Sequence, residues 1–345
     1  MTEIAPYSAK DALGRTIRDL RISVTDRCNF RCVYCMPKEV FGPGYEFVPR
    51  DKLLRLEEIA RIAKVFAACG VKKVRITGGE PMIRRNLENL IEMIATIAGI
   101  DDISMTTNAS YLSKGRAVAL KDAGLKRITV SLDAVDEETF RTVCDVEFPV
   151  SRVLEGIENA RQAGFENIKI NTVIKRGLNE HSVLPLARYF HGTGSILRFI
   201  EYMDVGSTNN WKLDEVVSAG ELVATINQEM PIEPLSPNYR GEVAKRWRYA
   251  DGGGEVGFIT SVTESFCGDC SRVRLSAVGQ IYTCLFATEG YDIRDPLRAG
   301  ASDQDLLEIV RTLWGKREDR YSELRGQIPV DVFSDAKVEM SHIGG

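Results

Sequence analysis

With 345 residues, 44% hydrophobic and 27% charged, the chain has the make-up of a water-soluble globular protein with room for one large domain or two ordinary ones. Its net charge of −4 and isoelectric point near 5.7 exclude a broad polyanion-binding surface, so no nucleic-acid partner is expected. A phosphate-bearing ligand would need a local cluster of arginine or lysine.

The first two-thirds of the chain alternates short β-branched runs with amphipathic helical ones. Strands are predicted at 20–25, 73–77, 103–107, 127–132, 168–174 and 196–202, and helices near 52–69, 86–98, 113–123, 151–163 and 181–191. Gly70, Gly99, Gly124, Gly164 and Gly192 follow these helices, where a left-handed residue is wanted. Six strands with helices between them imply a parallel sheet with right-handed crossovers. An incomplete α/β barrel and an open doubly wound sheet both fit. Polar residues inside the strands favour the barrel: Arg75 and Thr77 share one strand face, as do Lys169 and Asn171. Buried parallel strands usually read as unbroken Val, Ile and Leu, and buried charges need partners. A polar lumen holding an anion would supply them; a strand end in solvent or a structural ion pair is the plainer reading.

Directly after the first strand, Cys28, Cys32 and Cys35 stand in C-x₃-C-x₂-C order. Zinc would want a fourth Cys or His nearby, and none of His181, His191 and His342 is close in sequence. Eight cysteines would allow disulfides. However, Met1-Thr2-Glu3-Ile4-Ala5-Pro6 has no basic or apolar signal region, and no apolar run is long enough to cross a bilayer. A cytoplasmic location is therefore expected, with thiols reduced and free to bind metal. Three thiolates suit a [4Fe–4S] cube whose fourth iron takes a ligand from outside the protein.

After about residue 205 the alternation stops and turn-rich sequence follows, with Pro231, Pro234, Pro237 and Gly252-Gly253-Gly254. A second cysteine group comprises Cys267, Cys270 and Cys284, with a hairpin predicted over 273–284 turning at Val278-Gly279-Gln280. Spacing alone leaves a zinc knuckle with a distant fourth ligand nearly level with a cluster. Cys69 lies on the apolar stripe of the first helix and reads as core; Cys144 is read as a loop residue without assignment. Arg272 and Arg274 alternate on one strand face beside the second group, where guanidinium forks suit phosphate oxygens. A helix at 303–314 and the tail His342-Ile343-Gly344-Gly345 complete the chain.

The C-x₃-C-x₂-C loop with Tyr34 before its last cysteine, together with Gly78-Gly79-Glu80-Pro81, resembles the radical S-adenosylmethionine (SAM) superfamily. End to end, the chain is similar to the GTP 3′,8-cyclase family of molybdenum cofactor biosynthesis. The likeness is carried by Asp19-Leu20-Arg21, Thr77 to Pro81, Thr106-Thr107-Asn108, Ser131-Leu132-Asp133, Arg198 to Asp204, Phe266 to Arg274 and Gly344-Gly345.

The resemblance implies an incomplete TIM-type (βα)₆ barrel over 1–205 and a C-terminal iron–sulfur extension over 206–345 that closes the open side. It implies a first [4Fe–4S] cluster on Cys28, Cys32 and Cys35, with SAM lined by Tyr34, Gly79, Ser131 and Met203. Glycine at 78 and 79 would let the backbone approach the methionyl group, where a Cβ would collide. A second [4Fe–4S] cluster on Cys267, Cys270 and Cys284 would face the guanine of GTP, and Arg21, Arg75, Thr106, Lys169, Arg272, Val273 and Arg274 match GTP-binding positions. The implied reaction is that of a lyase: a 5′-deoxyadenosyl radical takes the C3′ hydrogen of GTP, and the carbon radical closes onto C8. The family further implies a homodimer, an external electron donor, a downstream cyclic pyranopterin monophosphate synthase and a Gly-Gly tail reaching the site.

Two positions depart from the family pattern, Ala109 where glycine is usual and Ser271 where asparagine is usual; both replacements are expected to be tolerated. A peptide-modifying radical enzyme would carry more C-terminal cysteines than the three found beyond residue 200. An electron carrier or zinc-ribbon binding module would leave Gly78 to Pro81 and the polar strand residues unexplained.

Overall fold

A computed structural model of the protein describes residues 9–325 and 337–344. The first half runs β1 (Asp19–Ser23), α1 (Leu56–Ala68), β2 (Lys73–Thr77), α2 (Leu87–Ala95), β3 (Asp102–Thr107), α3 (Lys114–Asp122) and β4 (Arg127–Ser131). It continues through α4 (Glu137–Cys144), α5 (Val150–Gln162), β5 (Lys169–Ile174), α6 (Val183–Phe190) and β6 (Ile196–Glu201). The remainder comprises α7 (Ala219–Glu229), β7 (Ile232–Leu235), β8 (Lys245–Tyr249), β9 (Glu255–Ile259), β10 (Arg272–Leu275), β11 (Gln280–Tyr282) and β12 (Tyr291–Asp292), then α8 (Arg294–Arg298), α9 (Asp303–Gly315), α10 (Tyr321–Leu324) and α11 (Met340–Ile343).

Strands β1 to β6 pair in parallel in sequence order, as the alternation predicts, and form the incomplete six-stranded barrel that the polar strand residues favour. The C-terminal region extends this same sheet from both edges. Strand β10 adds in parallel to β1 and carries the hairpin with β11, while β9 adds in parallel to β6 and is followed outward by β8 and β7. A barrel strand buries one face under helices and turns the other inward. Accordingly Leu20, Ile22, Val74, Ile76, Val130, Ile170, Leu197 and Phe199 fill the core with at most 1% exposure. Their alternating neighbours face the lumen.

Two sequence expectations are corrected. Helix α1 starts at Leu56, not near 52, because Arg50–Lys52 forms a separate 3₁₀ turn. Cys144 is no loop residue: it ends α4, whose N-terminus is capped by Asp136 accepting from the Thr139 amide at 2.8 Å. The predicted hairpin forms, and Gly279 takes φ +84° at its turn, where a Cβ would stand 2.6 Å from Arg294. Gly345 lies outside the described residues; Gly344 is buried against Thr77, with room for no Cβ. No helix among the described residues is long and apolar enough to cross a membrane.

Candidate active site

The loop that follows β1 holds the first triad by its own backbone. The amides of Cys35 and Met36 both donate to the Cys32 carbonyl at 2.9 Å, forming a turn that brings Cys32 and Cys35 together. The Arg31 guanidinium donates to the carbonyls of Cys28, Phe30 and Phe41, each at 2.8 Å, so its charge organises backbone instead of solvent. The loop's far side rests on the end of α4, through Arg31 to the Cys144 carbonyl at 2.9 Å and Val33 to the Val143 carbonyl at 3.0 Å.

Gly78 and Gly79 serve this loop differently from the sequence reading. A Cβ on Gly79 would lie 2.3 Å from the Arg27 carbonyl, and one on Gly78 would lie 2.6 Å from that of Thr25. The close approach is therefore to the protein's own cysteine loop, sealed where Gly79 and Glu80 donate to Thr25 and Arg27 at 2.8 Å. Glu80, buried, accepts from Met82 N at 3.0 Å, Thr107 Oγ1 at 2.7 Å and Asn108 N at 2.7 Å. Two short motifs are thus one hydrogen-bonded unit. A third joins in the same way: Tyr34 donates to Asp133 at 2.6 Å, and Asp133 also accepts from Val173 N at 2.8 Å. Burial lifts the Asp133 carboxyl to about 6, against the lowering effect of these two bonds.

The second triad spans Cys267 and Cys270 in the connection before β10 and Cys284 after β11. Burial raises the Cys270 thiol, but Arg272 and Arg317 outweigh it and bring the group down to about 6. Both guanidiniums donate to its sulfur, at 3.3 and 3.2 Å. Cys284 is held at about 11 by burial and then by Asp319.

Both triads line one cavity, together with nine Lys or Arg side chains and only four Asp or Glu. The register explains the crowding, because Arg21 is level with Arg75 on one side and Arg274 on the other. Burial and then mutual repulsion pull Arg21 well below its ordinary range. Lys169 is brought down to about 7 by burial and then by Arg198, Arg127 and Arg75. Buried cations at this density want an anion.

Every site residue predicted from the sequence lines this cavity except Val273, which alternation turns into the core at 1% exposure. Sequence reasoning missed Arg198, which lines the same cavity and donates to Asn171 at 2.7 and 3.0 Å. The period-two test applied to β5 would have found it on β6, since Asn171 and Arg198 are register partners. Lys73 and Arg127 also line the lumen without having been singled out.

The free thiols of Cys28, Cys32 and Cys35 supply the donor set of an iron–sulfur cluster. Among the described residues no three His, Cys, Asp or Glu side chains converge on a single-ion site. A cube takes each thiolate on a different iron, so it asks for no convergence of three side chains on one ion. Burial holds Cys28 up at about 12 and Cys35 higher than usual, so both are neutral as free thiols and would give up their protons to solvent on binding iron.

The Radical SAM superfamily model matches residues 22–190, and the Molybdenum Cofactor Synthesis C model matches residues 195–323. The GTP 3′,8-cyclase of Acidothermus cellulolyticus is 49% identical over 97% of this chain and 99% of its own length. That of Staphylococcus haemolyticus is 50% identical over 97% and 98%. Among solved structures, Streptococcus suis SuiB bound to S-adenosylmethionine gives a TM-score of 0.59 at 16% identity, covering 90% of this chain and 68% of that one. SuiB bound to its precursor peptide SuiA gives 0.61 at 15%, covering 90% and 67%. At such identities the likeness is one of fold.

The fold and the first cysteine loop define the radical SAM class, with S-adenosylmethionine and an iron–sulfur cluster as its cofactors. Within that class the chain belongs to the GTP 3′,8-cyclase family, whose reaction opens molybdenum cofactor biosynthesis.

Proposed function

We propose that this chain binds GTP in the cationic lumen and cyclises it to (8S)-3′,8-cyclo-7,8-dihydroguanosine 5′-triphosphate, with one [4Fe–4S] cluster on each cysteine triad. The observation that carries this reading is a single cavity joining both triads to nine basic and only four acidic side chains. A peptide substrate would not call for such an excess of basic over acidic side chains, even with Arg127 paired to Asp102 and Arg317 to Asp11 and Asp319.

When bound, the first cluster and S-adenosylmethionine supply the radical that removes a hydrogen atom from the substrate sugar. Cys28, Cys32 and Cys35 would hold that cluster. Tyr34, fixed by Asp133, and the Gly79, Ser131 and Met203 positions would border the cofactor. Arg21, Arg75, Lys169, Arg272 and Arg274 would pair with phosphate oxygens, with Thr106 oriented by the Arg75 guanidinium at 3.2 Å. Val273 would contribute through its backbone alone. Cys267, Cys270 and Cys284 would present the second cluster toward the guanine. Burying the sugar between the triads keeps the reactive site dry. No general base is needed.

The tail takes part through Gly344, whose carbonyl accepts from Arg274. A cytoplasmic site of action, a homodimer, an external electron donor and a cyclic pyranopterin monophosphate synthase consuming the product belong to the same reading. Anaerobic turnover tests it: reduced protein with S-adenosylmethionine should release 5′-deoxyadenosine with GTP and not with ATP. The reverse preference would overturn the substrate.

A further inference from the structure

Arg317 lies two residues beyond α9 and its side chain is 1% exposed. A buried guanidinium is costly unless its donors and charge are matched. Here its charge faces Asp11 at 3.2 Å and Asp319 at 3.2 Å, and its plane lies over the Trp314 ring at 4.6 Å. Its Nε also donates to the Thr283 carbonyl at 3.1 Å, and Nη1 to the Cys270 carbonyl at 2.8 Å. The remaining nitrogen, Nη2, donates to the Cys270 sulfur at 3.2 Å. Asp11 also grips Arg15 at 2.6 Å, and Arg15 Nη1 donates to the Cys267 carbonyl at 2.9 Å and the Asp319 carbonyl at 2.8 Å. One network therefore touches Cys267, Cys270 and the residue before Cys284.

We infer that Arg317 is a positioning residue for the second cluster that also raises its reduction potential, by donating to the Cys270 sulfur from a fixed buried cation. The inference rests on the proposed second cluster. Arg272 also donates to that sulfur, but Arg317 differs in commitment. The hydrogens of Nε and Nη1 are taken by protein acceptors, so its fork is not open to phosphate as those of the lumen arginines are. A donor and a positive charge at a ligating sulfur favour the more negative, reduced cluster.

The test uses full-length protein with Cys28, Cys32 and Cys35 all changed to Ser, so that only the C-terminal cluster carries iron. With Arg317 intact, about four irons should be retained, as for one cube; finding none would remove the second-cluster reading and the inference with it. Given that cluster, Arg317→Gln should shift the reduction equilibrium about tenfold toward the oxidised form, a midpoint some 59 mV more negative for one electron. Arg317→Lys should recover part of that shift, because it restores charge without the fork. An unchanged midpoint in Arg317→Gln with iron retained would overturn the tuning role. Loss of iron from both variants would leave a holding role alone and likewise overturn it.

Discussion

At the first triad burial raises Cys28 and Cys35, and the acids Glu80, Glu339 and Asp133 add to the effect. The Arg31 guanidinium, which lowers the Cys28 thiol, spends its hydrogen bonds on carbonyls. At the second triad two guanidiniums reach a single sulfur, and Cys270 comes down to about 6. The donors are the same and the surroundings part at Cys270; Cys284, raised to about 11 by burial and then Asp319, resembles the first triad. A cluster among acids and carbonyls is hard to reduce and, once reduced, gives its electron up readily. That suits a site that must break a sulfonium bond. The proposed cluster beside arginines would be easier to reduce, and the same positive charge would draw in a triphosphate. The fold achieves this by placing Glu80 and Asp133 beyond the C-terminal ends of β2 and β4 and Glu339 in the C-terminal segment on one side, and β10, with its two lumen arginines, on the other.

The largest effects should come from removing a ligand at each triad. Cys32→Ser should abolish 5′-deoxyadenosine release. Cys270→Ser should remove about half the iron yet leave cofactor cleavage measurable. Equal loss of cleavage in both would mean that the triads do not divide the work. Next in size, Lys169→Ala should cost about 1.5–3 kcal/mol of GTP binding, roughly 10–150-fold in Kd by calorimetry, with both clusters retained.

The same lysine gives a pH signature. Burial and then Arg198 bring its free-state value down to about 7, so the ammonium is mostly charged below pH 7 and mostly neutral above it. Phosphate favours the charged form and would raise the value, so binding above pH 7 takes up a proton. GTP affinity should therefore fall by up to about fivefold from pH 7 to pH 8, and Lys169→Met should flatten that slope. A slope that survives in Lys169→Met would assign the titration elsewhere.

Much of this was legible in the sequence because strand alternation and cysteine spacing are local signals. Arg75 and Lys169 stood out as charges within apolar strands, and the six parallel strands followed from six β-branched runs. What stayed hidden depends on chain segments far apart in sequence. Arg317 meets Cys270 across 47 residues and Asp11 across 306. Strand β10 reads as a hairpin arm and β9 carries no sequence signal, and only the folded sheet shows that each pairs in parallel with an edge of the incomplete barrel. Cys144 was hidden for another reason: the Asp136 cap of its helix is a single residue inside a polar stretch. Gly78 and Gly79 were picked out, but the atoms they make room for belong to Thr25 and Arg27, some fifty residues earlier.

The smallest effects concern the two departures, one beside each triad. Ser271 donates to Asp19 at 2.8 Å, so Ser271→Ala should cost about 1 kcal/mol and weaken the seam between β1 and the second triad. Ala109 follows Asn108, whose side chain donates to the loop at Asn29 at 3.0 Å, and it sits at φ +58° with 1% exposure. Three opposing contributions decide Ala109→Gly. Relief of the left-handed strain favours glycine by about 1–2 kcal/mol. Added freedom of the unfolded chain opposes it by about 0.4–1 kcal/mol, and loss of a buried methyl by about 0.8 kcal/mol. The sum is near zero, so Tm should move by no more than about 2 °C in thermal unfolding. A rise beyond about 5 °C would show that the turn beside the first triad stores strain the methyl does not repay; an equal fall would show that the packing of Gly156 against Ala109 matters more than the backbone angle.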